Sequence, residues 1–330
     1  MTKTLSLEEA RRLAEAALAR AGANAEHAAS VTASVVRAEA EGLHGIGLAH
    51  LADYCSGLRD GRIDGMAEPV LERPVPAIFR SDARGGFAHT GFDRAFDEFV
   101  EAAQSHGVAI FSQGNAFTCG ALGYFAARLA DRGLTALVAA NAGPAVMAAS
   151  GTDRAVFCTN PFAFGVPRSG GPALVIDQST SATAIVNLRI AAEEGREIPE
   201  GWALGPDGRP TRDPAAALKG VLLAFGGERG ANVALMVEIL AAGLAGANWS
   251  LDAPSFHEGS ACPRVGLFVL AINGDLLLGA DFAERMAAYL ARLERDFGVY
   301  IPGRSRAEKA EAAENRGITI SPALAELLGA

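Results

Sequence analysis

His50 and Asp53 are the clearest candidate pair for proton chemistry in the sequence. An imidazole can gain or lose a proton near neutral pH, and it binds a carboxylate when it is charged. Asp53 follows His50 by three residues, so on a helix its carboxylate lies close enough to orient the ring, and Tyr54 adds a hydroxyl. We therefore predict that His50 is a proton donor or a carboxylate-binding residue; helix capping or packing is the alternative.

A glycine loop at residues 226–230 (GGERG) precedes an apolar helix predicted over residues 232–246 and expected to be buried on most sides. Backbone N–H groups at a helix start, together with the Arg229 guanidinium, can hold a phosphate. A simple helix-entry turn is the alternative. The sequence has no GxGxxG after a strand and no Walker A, GxSxG, kinase or paired-acid glycosidase pattern.

The histidines and cysteines have no metal-binding spacing. The 6 histidines include no HxxxH or HExxH pattern, and the 4 cysteines form no CxxC pair. We predict neither a protein-held metal nor a disulfide framework, which favours a cytoplasmic protein.

Composition limits the class of protein. The 330 residues are 50% hydrophobic and 20% charged, as expected for a globular chain of one large or two ordinary domains. The net charge is -9, without a basic stripe, so nucleic acid and anionic membranes are poor candidate partners. The N-terminus predicts a charged amphipathic helix rather than a signal peptide, and no apolar run reaches the roughly 20 residues that span a bilayer.

Helices and short strands alternate along the chain. Ser6 and Glu9 predict a capping box that opens the first helix. Between residues 134 and 177, short apolar runs that end in polar turns predict strands. Further helices are predicted over residues 25–40, 47–58, 92–104 and 281–297, and strands over residues 108–111 and 265–272. The pattern indicates a mixed α/β enzyme.

Three segments, ordered and spaced along the chain, carry a family likeness: residues 158–161 (CTNP), 177–181 (DQSTS) and 199–211 (PEGWALGPDGRPT). With the glycine loop, they resemble the malate/L-lactate dehydrogenase family of the second type. The resemblance covers nearly the whole chain. It implies an α/β (α+β) fold with a non-Rossmann nicotinamide domain around a largely antiparallel sheet, a helical substrate and dimerisation domain, and a homodimer. We assign residues 113–274 to the cofactor domain and residues 1–112 with 275–330 to the helical domain.

The resemblance also implies contacts to NAD(H) or NADP(H). Asn141 keeps the middle position of the family's T-N-S turn, and Asp177 begins the turn that matches D-M-A-T-S. Arg229 replaces the lysine of the G-G-x-K-G loop and retains its charge. Arg304 lies in a segment that resembles the late cofactor-binding turn. The implied cofactor-binding set is Asn141, Thr159, Asn160, Asp177, Ser179, Ser181, Arg229 and Arg304.

Both acid/base histidines of the family are replaced. Aligned without a gap, Ile46 occupies the histidine's place in S-H-G-x-x-R, and His50 occupies the place of the arginine. Thr118 stands where N-x-x-H-x-G has its histidine; its hydroxyl can bond a substrate oxygen but is a poor acid. His50, oriented by Asp53, is therefore the predicted proton donor or carboxylate ligand, and His257 is the next candidate.

Three functions stay open at this point. The first is an NAD(P)-dependent oxidoreductase that moves a hydride between nicotinamide and a small 2-oxo or 2-hydroxy acid. The second is a reductase of cyclic imine 2-carboxylates, such as pyrroline-2-carboxylate or piperideine-2-carboxylate. Such an imine can arrive already protonated, so the loss of both histidines fits this case better. The third is a nucleotide-binding homologue that has lost catalysis.

Overall fold

Helices and strands alternate along most of the chain, and the structure, a computed structural model, describes residues 2–330. The helices are α1 (Leu7–Ala21), α2 (Ala25–Ala40), α3 (Leu51–Arg59), α4 (Ala88–His106), α5 (Leu122–Ala130), α6 (Ile185–Glu193), α7 (Pro214–Ala217), α8 (Glu228–Glu238), α9 (Gly274–Leu278), α10 (Phe282–Phe297), α11 (Arg304–Arg316) and α12 (Pro322–Leu328). The strands are β1 (Lys3–Leu5), β2 (Val70–Val75), β3 (Ile78–Asp82), β4 (Val108–Ala116), β5 (Thr135–Ala140), β6 (Met147–Ala148), β7 (Ala155–Phe157), β8 (Phe162–Val166), β9 (Leu174–Gln178), β10 (Ala203–Leu204), β11 (Val221–Leu222), β12 (Val265–Ile272) and β13 (Ile318–Ile320).

A seven-stranded sheet of order β2-β3-β4-β12-β5-β8-β9 forms the centre of the fold. Within residues 2–330, β3 and β4 are the one parallel pair of neighbours in this sheet, and the other neighbours run antiparallel. A Rossmann domain has a mostly parallel sheet. The predicted largely antiparallel, non-Rossmann sheet is therefore confirmed. A smaller sheet has the order β10-β11-β6-β7, and residues of α6 and α8 share an apolar core with it. Strand β1 pairs with β13.

The predicted domain boundary between residues 112 and 113 falls inside β4. The parallel pairing of β3 with β4 continues the central sheet into residues of the predicted helical domain, 1–112. Because backbone hydrogen bonds cross that boundary, the sheet must be described as one unit that extends to β2.

Two apolar cores meet where the helical region joins the sheet. One core lies between the sheet and helices α4 and α5, where Phe92 packs edge-on against Phe111 and Phe125. The other lies among α1, α2 and α3 and includes Tyr54 of α3 and Phe117, which follows β4. The rings of Tyr54 and Phe117 are 6.0 Å apart, edge to face. This contact places the start of α3 beside the end of β4.

The region before α3 differs from the predicted helix over residues 47–58. Two 3₁₀ turns, His44–Ile46 and Leu48–His50, precede α3. The buried carboxylate of Glu39 explains them, because it lies 2.6 Å from His44 Nδ1 and accepts a hydrogen bond of 2.9 Å from the Leu48 N–H. His50 consequently lies at the N-terminal end of α3.

The apolar helix predicted over residues 232–246 is α8 followed by a π-helical turn, Ile239–Gly243. The expectation that it is buried on most sides is wrong. Leu235, Met236 and Ile239 are exposed, since the helix packs on the rest of the chain through another face that includes Ala234 and Val237.

Candidate active site

A cavity of about 430 Å³, here called the central cavity, opens between the helical region and one end of the sheet. It brings together residues from the turns before α3, the segment after β4, and the ends of β5 and β9. Its lining residues are Leu43, Ile46, His50, Thr118, Cys119, Gly120, Leu122, Ala140, Ala142, Pro144, Val146, Cys158, Thr159, Pro161, Asp177, Gln178, Ser179, Ala184, Ile185, Phe256 and Arg306. Five of the sequence-predicted site residues, His50, Thr118, Thr159, Asp177 and Ser179, therefore line the same cavity.

His50 is held by Asp53 on its outer side. Its Nδ1 atom lies 3.0 Å from Asp53 Oδ2, and 12% of its side chain is exposed. A carboxylate only accepts hydrogen bonds, so Nδ1 carries a hydrogen toward Asp53 and Nε2 is the nitrogen left to exchange a proton with the cavity. Burial opposes ionisation of Asp53, but the hydrogen bond and charge of His50, with a contribution from His257, lower the pKa of this carboxyl.

Two hydroxyl groups beside His50 have no hydrogen-bond partner among residues 2–330. They are Thr118 Oγ1 and the phenol oxygen of Tyr54, and both are buried. Burial raises the pKa of Tyr54 above its usual range, so the phenol stays protonated. Because an unpaired buried hydroxyl is costly, the Thr118 hydroxyl is suited to a polar atom of a ligand. Thr118 lines the cavity directly, whereas Tyr54 lies behind the wall.

Three buried titratable groups in this region, His89, Cys119 and Cys158, are kept neutral. Burial, followed by the charges of His50 and Arg128, lowers the pKa of His89 to about 3. Burial also raises the pKa of Cys119 to about 12 and that of Cys158 to about 11. Cys119 is thus a packed thiol. His50 is the imidazole among the lining residues.

Asp177 belongs to another wall of the central cavity. Its Oδ2 accepts a hydrogen bond of 2.9 Å from the N–H of Gly123, in the first turn of α5. Burial raises the pKa of Asp177, although the Gly123 bond and the charge of Arg306 oppose that rise. Ser179 Oγ lies 2.9 Å from Ser181 Oγ, and the Ser181 hydroxyl donates to the Thr183 carbonyl. Ser179 faces the cavity and Ser181 supports it from behind.

Sequence reasoning missed Arg306. One terminal nitrogen of its guanidinium donates to the Asp177 carbonyl at 3.2 Å, and the other is buried, 3.8 Å from Asp177 Oδ2, with no hydrogen-bond partner among residues 2–330. The predicted residue, Arg304, lies outside the cavity and pairs with Glu294 and Glu308 at the surface. Both belong to α11, and two residues along a helix turn the side chain by roughly 200°, to the opposite face. The helical period of residues 304–316 is the signal that distinguishes the two arginines.

The two predicted asparagines, Asn141 and Asn160, lie behind the residues that line the central cavity. Asn141 donates to the Asn248 carbonyl at 2.7 Å and accepts from the Gly266 N–H at 2.8 Å. Asn160 donates to Glu238 at 2.7 Å and to the Ala234 carbonyl at 3.0 Å. Both side chains are fully buried, so they hold adjacent lining residues in place and do not face the cavity.

The glycine loop borders a second cavity of about 420 Å³, here called the loop cavity, and Arg229 follows its lining residue Glu228 in the chain. Its lining includes Gly226, Gly227 and Ser150. No side chain caps α8 within the described chain, so its first-turn N–H groups are free, and Arg229 is exposed beside them. This is a suitable site for a phosphate. Ala182 lines the loop cavity and Ala184 lines the central cavity, so one short segment borders both cavities, and dinucleotide binding across them stays a prediction.

Known proteins resemble this chain over nearly its whole length. The sequence profile of the malate/L-lactate dehydrogenase family matches residues 5–328. The chain belongs to this family. It is an NAD(P)-dependent oxidoreductase, and the predicted family, enzyme class and cofactor class are confirmed.

Individual relatives cover almost the whole chain. The Δ1-pyrroline-2-carboxylate reductase of Ancylobacter novellus is 35% identical over 97% of this chain and 95% of its own length. The (2R)-3-sulfolactate dehydrogenase (NADP⁺) of Chromohalobacter salexigens is 37% identical over 93% and 91%. The solved Δ1-piperideine-2-carboxylate reductase of Pseudomonas syringae superposes with a TM-score of 0.94, at 35% identity over 99% of each chain.

Residues 2–330 contain no helix of the length and apolar character that crossing a bilayer requires. In the same residues, no group of three or more His, Cys, Asp or Glu side chains is placed to hold a metal ion.

The buried Asp177 predicts a specific pH dependence of stability. Its pKa is higher in the folded protein than in the unfolded chain, so the folded state binds the extra proton and the free energy of unfolding falls as pH rises through the interval between the two values. Asp177→Asn keeps an acceptor for the Gly123 N–H and removes the titration. We expect the variant to gain stability relative to the wild type as pH rises from about 4, the ordinary value for Asp, in urea unfolding at several pH values. A pH-independent difference, or one of opposite sign, would contradict the burial argument.

Proposed function

We propose that this enzyme reduces a cyclic imine 2-carboxylate of the pyrroline-2-carboxylate or piperideine-2-carboxylate class. The observation that carries the proposal is the central cavity itself, in which Ile46 and Thr118 stand in place of the family's histidines and His50 is the lining imidazole. A cyclic imine is basic enough to enter already protonated, so it places a smaller demand on an acid than a carbonyl does. The names of the relatives from Ancylobacter and Pseudomonas support the same substrate class.

Each part of such a substrate has a matching wall. Leu43, Ile46, Leu122 and Phe256 offer apolar surface to the methylene groups of a ring. Arg306, with its unpartnered guanidinium nitrogen, attracts the carboxylate. His50 Nε2 holds or delivers the proton at the ring nitrogen.

When bound, the reduced nicotinamide supplies the hydride, with its electron pair, that adds to C2 of the substrate. An imine nitrogen that arrives unprotonated takes one proton from His50 Nε2, which leaves the imidazole neutral. The apolar lining excludes water from this step, and that strengthens the attraction of Arg306 for the carboxylate.

Reduction of a 2-oxo acid is the second candidate. The relative named sulfolactate dehydrogenase favours it, and so does the unpaired hydroxyl of Thr118, which can donate to a carbonyl oxygen. A small carboxylate is the ligand in both cases.

We also propose a cytoplasmic location, which the four free cysteines support because thiols stay reduced there.

A substrate panel separates the two candidates. With NADH and NADPH, we expect kcat/KM for pyrroline-2-carboxylate or piperideine-2-carboxylate to exceed that for pyruvate, oxaloacetate and 3-sulfopyruvate. His50→Asn should lower kcat/KM by about a hundredfold, the lower range for a positioned acid, while dinucleotide binding persists. His106→Asn, at the exposed end of α4, is the matched control. Preference for the 2-oxo acids, or full activity of His50→Asn, would contradict the proposal.

Arg306 and Arg304 give a second test within one helix turn. Arg306→Gln removes the cation from the cavity and should raise KM for the carboxylate substrate about tenfold or more, the effect of losing a bond to a charged group. Arg304→Gln removes two surface ion pairs and should leave KM within about twofold, because exposed pairs contribute little. Steady-state kinetics on both variants decides between them. The reverse pattern would restore Arg304 as the ligand-binding residue.

We also propose that the protein is a homodimer that associates through the apolar surface on and after α8. Leu235, Met236 and Ile239 are exposed on α8 and the turn after it, and Leu244, Trp249 and Leu251 are exposed further on, by 44–66% each. Large apolar side chains gathered on one segment are typical of a buried interface. The family resemblance supports the same arrangement.

Sedimentation equilibrium tests the dimer. At micromolar concentration we expect twice the chain mass of 34.0 kDa for the wild type. Met236→Arg places a charge on the proposed interface and should shift the protein toward monomer. Met66→Arg, at a position that is 67% exposed elsewhere on the surface, serves as the control and should stay dimeric. A monomeric wild type would overturn the proposal.

A further inference from the structure

A single carboxylate connects His50 with a second imidazole from a distant part of the sequence. Asp53 Oδ2 lies 3.0 Å from His50 Nδ1, and Asp53 Oδ1 lies 3.4 Å from the Nδ1 atom of His257. The two rings differ in environment, because 12% of the His50 side chain is exposed against 43% for His257. The three side chains form a row from the cavity wall to the solvent.

The loop that carries His257 is fixed in place by several bonds. The hydroxyl of Ser255 accepts from the N–H groups of His257 and Glu258, at 3.1 and 3.2 Å. Arg62, which follows α3, donates to the Gly259 carbonyl at 2.8 Å. Phe256 lines the central cavity and its ring centroid lies 4.0 Å from that of His257. The loop thus closes one wall and presents His257 to Asp53.

We propose that His257 is a positioning residue that acts on the reaction through Asp53. This inference rests on the proposed role of His50. By occupying Oδ1, His257 fixes the rotation of the Asp53 carboxylate so that Oδ2 stays on His50 Nδ1. That contact holds the His50 ring and keeps its hydrogen on Nδ1, which leaves Nε2 to face the substrate.

The chemistry explains why a second partner matters. A carboxylate at the surface rotates freely and exchanges its contacts with water, so one contact from His50 alone leaves Asp53 loosely held. An imidazole nitrogen close to each oxygen, at 3.0 and 3.4 Å, restricts that rotation. His257 does not line the cavity, so it touches neither substrate nor cofactor, and its influence has to pass through Asp53.

A double-mutant cycle tests this route, because replacing either member of a coupled pair removes the shared effect. We expect His257→Ala to lower kcat about tenfold with KM within about twofold, a loss of about 1.4 kcal/mol. His257→Gln, which retains an N–H donor, should recover part of the loss. In an Asp53→Asn background, His257→Ala should cost less than about twofold more. His106→Ala is the control for loss of an exposed histidine. An equal cost in both backgrounds would show that His257 acts only on the loop and would overturn the inference.

A second measurement needs no turnover. In ¹⁵N-histidine-labelled protein without ligands, we expect the His50 Nδ1–H signal to be protected from solvent exchange, and its exchange rate to rise about tenfold or more in His257→Ala. An unchanged exchange rate would overturn the inference even if the enzyme is an imine reductase. If the wild type reduces none of the panel substrates but the exchange rate responds, the proposed function fails and the His257–Asp53–His50 arrangement stands.

Discussion

The edge-to-face contact between Tyr54 and Phe117 is the constraint on which the site depends. Tyr54 belongs to the helical core and Phe117 directly follows the central strand β4, and the two rings lie 6.0 Å apart in a fully buried junction. His50 lies one helical turn before Tyr54, and Thr118 is the residue after Phe117. The same apolar contact therefore brings a titratable imidazole and an unpaired hydroxyl to one cavity wall. Moving either aromatic ring would separate the two groups, since neither is held to the other directly.

Buried polar side chains fix the remaining walls relative to this junction. Glu238 accepts from Asn160 on one wall and from the N–H and hydroxyl of Ser250 on the segment after α8. Asn141 joins the end of β5 to β12 and to the chain at Asn248. Because unsatisfied partners in these positions would be costly, the bonds hold the loops rigidly where the ligand must bind. The cavity walls are therefore preorganised, and the polar side chains of His50, Asp177 and Arg306 are left to meet the ligand.

Local sequence signals predicted the elements well. The Ser6–Glu9 capping box, helix α2 and strand β12 depend on neighbouring residues, and the structure has them as expected. Family motifs predicted the largely antiparallel sheet and several lining residues. Features that depend on tertiary contacts were missed. The buried carboxylate of Glu39 converts the start of a predicted helix into 3₁₀ turns, and no local pattern reveals it. Arg306 and not Arg304 lines the central cavity because of the way α11 packs against α2, and the contact of His257 with Asp53 joins segments that only the fold brings together.

In the proposed reaction, His50 Nε2, oriented by Asp53, serves the reacting nitrogen of a cyclic substrate whose carboxylate is held by Arg306. A crystal structure of the protein with oxidised dinucleotide and proline, the reduced ring product, tests it most directly. We expect His50 Nε2 within about 3.2 Å of the ring nitrogen, the limit for such a hydrogen bond, with Asp53 on Nδ1 and the carboxylate on the Arg306 guanidinium. A product bound with its nitrogen against Thr118 or Asp177, and with His50 turned away from it, would contradict the proposed role of His50.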